Sequence, residues 1–405
     1  MTETPRTPGP SRRSRVAPFE VMDVLDRVAV LRAAGRDVVS LCAGEPSGGA
    51  PTLVSEAAAR IHASGRALTY TSALGIHELR AEIAAHYSRW YAVDVDPARV
   101  AVTTGSSGGF VLAFLAAFDP GDRVALARPG YPAYRNILTA LGCEVVEIDC
   151  GAGTRFQPTP DLLDAASADG PLAGLIVASP ANPTGTMVDR AELTALAQWC
   201  RTNGVRLVSD EIYHGVTYPE QSPARAADPR GVCAWEVDDT AIVISSFSKY
   251  WGMTGWRLGW MLLPDDLVRP VDALAGNVAL CPPAPAQYAA VSAFAQESYH
   301  ECDGAVAEFA RTRKLLLDNG SRLGWGESAP PDGAFYYWAD LGPQLERWGS
   351  SGDYARALLE EAAVAITPGG DFDDRSGGHS VRLSFAAGST AVAEAIERIE
   401  AFNRG

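Results

Sequence analysis

The sequence predicts an α/β fold: a three-layer αβα large domain on a mostly parallel seven-stranded sheet, plus a smaller α+β domain formed by both chain ends. Three observations carry this expectation. From about residue 99, short runs rich in β-branched residues alternate with helical stretches, the pattern of strands buried under helices on both faces. After Pro282-Pro283-Ala284-Pro285 that alternation gives way to long helical periodicity. A chain of 405 residues, 47% of them apolar, also holds enough material for more than one core.

Residues 1–15 carry Pro5, Pro8, Pro10 and four arginines but no apolar run, and read as a mobile N-terminal arm. Val16 to Ala34 reads as a helix, and Val38 to Leu41 as a short strand entering Gly44-Glu45-Pro46. Residues 16–48 are therefore expected to begin the small domain. Ile76, Leu79, Ile83, Tyr87 and Trp90 recur at helical spacing. The strand runs follow: Val100–Thr103, Val124–Ala127, Val145–Ile148, Leu175–Ala178, Val205–Ser209 and Ile242–Ser245. Leu193, Leu196, Ala197 and Cys200 mark one helix face, closed by Gly204. Trp256 to Leu263 follows its predecessor too closely for a helical crossover and is expected to run antiparallel. Residues 49–285 thus form the expected large domain. Residues 286–405 complete the small one, with a helical region over Ala286–Leu323, strands at Ala334–Trp338 and Val381–Phe385, and a closing helix marked by Val392, Ile396, Ile399 and Phe402.

The formal charge, 34 − 49 = −15, argues against nucleic acid or an anionic membrane as partner. Seven scattered cysteines form no Cys-x-x-Cys pair, and six histidines form no His-Glu-x-x-His, so no metal site is expected. Unpaired cysteines and the lack of a signal-peptide core fit the cytoplasm. No run approaches the roughly 20 apolar residues that span a bilayer.

Four clusters fall where strands of such a sheet end, the region where open α/β sheets bind ligands. Thr103-Thr104-Gly105-Ser106-Ser107-Gly108-Gly109 follows a strand and opens a helix, so its free amides suit an anion such as phosphate; a plain glycine-serine turn fits equally well. Asn182-Pro183-Thr184-Gly185 alone reads as a turn. Asp210-Glu211-Ile212-Tyr213 ends a strand, where a carboxylate suits a buried cationic ring nitrogen or a helix cap. In Ser245-Ser246-Phe247-Ser248-Lys249-Tyr250-Trp251, a lysine sits among small and aromatic residues, and Arg257 follows eight positions on. An ammonium there is poorly solvated, its pKa falls, and the amine becomes a nucleophile fit to form an imine.

These clusters, in this order and followed by Val381-Arg382-Leu383-Ser384-Phe385, resemble the fold-type I aminotransferases of class I/II, the aspartate aminotransferase superfamily. The likeness runs from about Val38 to the C-terminus. It implies pyridoxal 5'-phosphate as cofactor, held as a Schiff base by Lys249, which then serves as the acid–base. It implies Asp210 at the pyridine nitrogen, Asn182 and Tyr213 at the phenolic oxygen, and Tyr131 stacked on the ring. Ser106, Ser107, Gly108, Ser246, Ser248 and Arg257 would hold the phosphate. Arg382, with Gly44 and Asn182, would bind the substrate α-carboxylate. Tyr70 would reach the phosphate of a neighbouring subunit, making a homodimer with shared sites.

Relatives specific for dicarboxylates add a second cation. One branch places a lysine in the phosphate loop, where this chain has Ser107; another places an arginine shortly before the Pro-Pro pair, and no arginine lies between Gly276 and Pro282. A buried carboxylate without a cation is disfavoured by several kcal/mol. The expected donor is therefore a neutral L-amino acid, aliphatic or aromatic, rather than aspartate, with 2-oxoglutarate or pyruvate as acceptor. The same motifs also serve lyases and a few oxidases on this scaffold. A non-catalytic regulator is disfavoured by the acidic charge and by the short arm before the first helix.

Overall fold

The computed structural model describes residues 9–219 and 226–404. The first eight residues of the expected arm lie outside that range. The rest of the arm is exposed, with one short 3-10 turn at Arg12–Ser14.

Helix α1 spans Glu20–Ala33 and β1 Val39–Ser40; helices α2 (Thr52–Ala63) and α3 (His77–Tyr91) follow. The alternating region then gives β2 (Val100–Thr103), α4 (Gly105–Ala117), β3 (Arg123–Arg128), α5 (Pro132–Leu141) and β4 (Glu144–Asp149). It continues with α6 (Pro160–Ser167), β5 (Gly174–Ala178), α7 (Arg190–Asn203), β6 (Arg206–Asp210), β7 (Ile242–Ser246) and β8 (Gly259–Leu262). Helices α8 (Asp265–Val278), α9 (Ala284–Ala290) and α10 (Gln296–Asp318) lead to β9 (Tyr336–Asp340). The chain ends with α11 (Gln344–Trp348), α12 (Ser351–Ala362), β10 (Val364–Ala365), β11 (Thr367–Pro368), β12 (Ser380–Ser384) and α13 (Ser389–Arg404).

The large sheet has seven strands in the order β2-β8-β7-β6-β5-β3-β4, with β8 antiparallel to both neighbours and the other pairs parallel. This is the expected mostly parallel sheet, including its antiparallel strand. Alternate residues feed opposite cores, as the strand period of two requires. Val243, Leu207 and Leu175 join α3 and α7 on one face; Ile244, Val208 and Ile176 join α4, α5 and α8 on the other. Two smaller sheets draw on the chain ends: β1 pairs parallel with β10, and β11-β12-β9 is antiparallel. No helix among the described residues is long and apolar enough to cross a membrane.

Four boundaries differ from expectation by two residues or more. Strand β8 starts at Gly259 rather than Trp256, because Thr254–Trp256 forms a 3-10 turn and Arg257 adopts a left-handed φ of 54°. Helix α1 begins at Glu20 rather than Val16, because Pro18 disfavours helical backbone before it and Phe19 stays extended. The helical region after residue 286 is broken by a 3-10 turn at Val291–Phe294 and an extended Ala295. Strand β9 starts at Tyr336, since Ala334 adopts a left-handed φ of 56° that no strand accommodates.

Candidate active site

A cavity of about 560 Å³ opens beyond the carboxyl ends of the parallel strands. Gly44, Ser106, Ser107, Tyr131, Asn182, Asp210, Tyr213, Ser248, Lys249, Arg257 and Arg382 all line it. Residues from seven separate stretches thus converge on one space.

Lys249 follows β7 on a tight turn, and its Nζ donates to the Gly44 carbonyl at 2.5 Å. Burial pushes its ammonium down to about 8; Arg382 and Arg257 push the same way, against Glu45 and Asp210. The amine therefore holds an appreciable neutral fraction near neutral pH, as a nucleophile or base requires. Asp210 ends β6, with one oxygen accepting from the Tyr134 hydroxyl and the other from the Ile212 amide at 3.0 Å. Burial lifts its carboxyl to about 6, and those hydrogen bonds oppose the rise. A cation placed against it would restore the carboxylate.

Arg382 lies on β12, 5% exposed, between the rings of Tyr336 (4.5 Å) and Phe372 (4.7 Å). It donates to Asn182 Oδ1 at 2.9 Å and to the Cys42 carbonyl at 2.8 Å, while its Nε has no partner. A buried guanidinium that lines the cavity suits an incoming carboxylate. Arg257 lies beside the start of α4, where a Cβ on Gly105 would come within 2.5 Å of its Nη2. Gly105 also has a φ of +66°, so only glycine suits this place. Ser106, Ser107, Ser248, the first amides of α4 and Arg257 together form a site fit for a phosphate.

Three expected site residues lie off the cavity. Ser246 is buried, and its Oγ bonds Ser248 Oγ (2.8 Å) and the Leu258 carbonyl (3.1 Å). Gly108 faces a second, mainly apolar cavity behind the loop. Tyr70 is 78% exposed and does not reach its own chain's cavity.

The sequence reading missed Tyr336, Tyr134 and the apolar group Phe19, Val21, Met22 and Leu25, which also line the cavity. Tyr336 shares a 2.6 Å hydrogen bond with Tyr213, and its hydroxyl closes on Gly44, where a Cβ would meet it at 2.3 Å.

A nucleophilic amine, a buried carboxylate, an anion cradle and a buried arginine share one cavity, an arrangement that suits covalent capture of a phosphate-bearing carbonyl compound beside a carboxylate substrate. The chain belongs to the aminotransferase class I and II family, whose profile matches residues 36–399, and this family uses pyridoxal phosphate. It is 52% identical over 388 residues, 96% of each chain, to the valine–pyruvate aminotransferase of Mycobacterium tuberculosis. It is 31% identical over 395 residues to the aspartate aminotransferase of Geobacillus stearothermophilus, covering 96% of this chain and 98% of that one. Among solved structures, an aminotransferase from Mycobacterium tuberculosis superposes with a TM-score of 0.91 at 52% identity, over 98% of this chain and 99% of the other. The Thermus thermophilus aspartate aminotransferase with maleate gives 0.88 at 31% identity, over 98% of this chain and all of the other, 100%.

Proposed function

We propose that this chain uses pyridoxal 5'-phosphate to move the amino group of a neutral aliphatic L-amino acid, valine or a close analogue, to pyruvate. The observation that carries this is the cavity lining. Its only cations among the described residues are Lys249, Arg257 and Arg382, which this proposal assigns to the chemistry, the phosphate and the α-carboxylate. Its remaining acid is Glu45, and its outer wall is Phe19, Val21, Met22 and Leu25. A side-chain carboxylate would meet no partner there and one repelling charge. The similarity to the enzyme named for valine and pyruvate points the same way.

When bound, pyridoxal phosphate supplies an electron sink for the carbanion left on loss of the α-proton. Arg382, with Asn182, fixes the substrate carboxylate and so orients the α-carbon bond to be broken. Lys249 takes the α-proton on its neutral Nζ and returns it. Asp210, oriented by Tyr134, would hold the cofactor's ring nitrogen in its protonated form. Tyr213, steadied by Tyr336, donates from its hydroxyl; Tyr131 provides a stacking face; Ser106, Ser107, Ser248 and Arg257 bind phosphate. In the same proposal, residues 49–285 form the large domain and residues 16–48 and 286–405 the small one. Tyr70 projects into the site of a partner subunit, which makes the enzyme a homodimer.

The test is turnover of valine, alanine, phenylalanine and aspartate by the cofactor-loaded protein, each with 2-oxobutyrate in place of pyruvate, because alanine with pyruvate only regenerates its own reactants. Valine is expected to lead in kcat/KM. Aspartate in first place would overturn the proposal.

A further inference from the structure

Helix α1 reaches the cavity with no cap of its own, since Phe19 at its N-cap has no polar side-chain atom. Its first amides are satisfied from the far end of the chain. Glu20 N donates to Asp371 Oδ1 at 2.7 Å, and Val21 N to Asp371 Oδ2 at 2.9 Å. Asp371 is only 6% exposed, so its carboxylate is bound to these amides rather than to water. The next residue, Phe372, lies 4.7 Å from the Arg382 guanidinium and accepts the Gly130 amide at 3.0 Å. One short segment thus ties the first turn of α1 to the carboxylate-binding arginine and to the loop bearing Tyr131.

That first turn supplies the cavity's apolar wall, and Phe19 stacks on Tyr131 with ring centroids 6.2 Å apart. Besides Asp371, Val21 and Leu25 are held by packing against the cluster of Val28, Leu31 and Leu359. The buried residues of α1, Val28 and Leu31, lie in its second half, while Met22 is 53% exposed.

We propose that Asp371 is a specificity-positioning residue: by capping α1 it holds Phe19, Val21, Met22 and Leu25 over the substrate side chain and sets the preference for branched aliphatic over one-carbon side chains. This rests on the neutral-donor reading above. A methyl group gains little from the wall, whereas a branched side chain buries its extra carbons against it. Asp371 touches neither substrate nor cofactor and acts only through α1.

The experiment compares kcat and KM for valine and alanine in the cofactor-loaded wild type, Asp371→Ala, Asp371→Asn, Met22→Ala and the double variant of Asp371→Ala with Met22→Ala. In Asp371→Ala the valine-to-alanine ratio of kcat/KM is expected to fall about tenfold, mainly through the KM for valine, the scale of one methylene in an apolar pocket. Asp371→Asn keeps one acceptor oxygen and loses less. Met22→Ala, at a half-exposed position that does not endanger folding, lowers the same ratio alone and adds little to Asp371→Ala. Equal losses on both substrates in Asp371→Ala, or an unchanged ratio in Met22→Ala, overturn the proposal while leaving the neutral-donor reading intact. A wild type faster on aspartate than on valine overturns that reading first, before any variant is made.

Discussion

Lys249 sits where burial and two arginines lower its ammonium, and it is the lining residue best suited to attach the cofactor covalently. Lys249→Ala is expected to lose at least about 10²–10⁴-fold in kcat, the usual contribution of a positioned acid–base. Borohydride treatment followed by mass analysis should add the cofactor's mass to the wild type only. Nearby, Glu211 is 1% exposed, and burial pushes its carboxyl up to about 8 from an ordinary 4.5. Its Oε1 accepts from Ala234 N and Ser209 Oγ, but Oε2 has no hydrogen bond and faces His214 Nδ1 at 3.5 Å. The folded state therefore holds a proton that the unfolded chain releases. Glu211's contribution to stability is fully present below about 4.5 and is lost as pH rises through about 8. Glu211→Gln, neutral at every pH, should flatten that decline, worth a few kcal/mol between pH 5 and 8. Urea midpoints measured across that range check it, and parallel curves would remove the claim. Asp210 and Tyr213 were legible because they bracket a short motif at a strand end. Tyr336 was not, because Phe335-Tyr336-Tyr337-Trp338 reads as an apolar strand, and its partner Tyr213 is 123 residues away.

At the scale of elements, α7 opens with a capping box in which Asp189 and Glu192 satisfy each other's backbone amides. Asp189→Ala should cost about 1 kcal/mol of stability. The residue does not line the cavity, so kcat and KM should not change. A denaturation curve beside a steady-state assay tests both halves. The strands of the large sheet were readable because β-branched runs buried on both faces have no competing helical period; the antiparallel direction of β8 followed from its short connection. The start of α1 was misread because apolar residues recur at helical spacing back to Val16 and outweighed the local signal of Pro18, while the carboxylate that caps it, Asp371, lies far along the chain. The break at Ala295 was hidden in the same way, by alanine-rich sequence compatible with an unbroken helix.

For the whole molecule, Tyr70 gives the expectation that two chains complete each other's sites. Sedimentation should return a particle of two chains. Tyr70→Phe, at an exposed position, should weaken retention of pyridoxal phosphate without changing that mass; cofactor retention equal to wild type would exclude the shared site. The pairing of β1 with β10 has a different consequence, one of time. Val39 aligns with Val364, so the first strand made waits for one of the last. At synthesis rates of roughly 5–20 residues per second, the intervening stretch takes on the order of tens of seconds to emerge. Through that interval the apolar stripe of α1, with Val24, Val28 and Leu31, has no Leu359, Ala363 or Ala365 to cover it. The nascent chain thus leaves the ribosome with its earliest helix exposed, a handle for chaperones and a liability for any stall or truncation before residue 364.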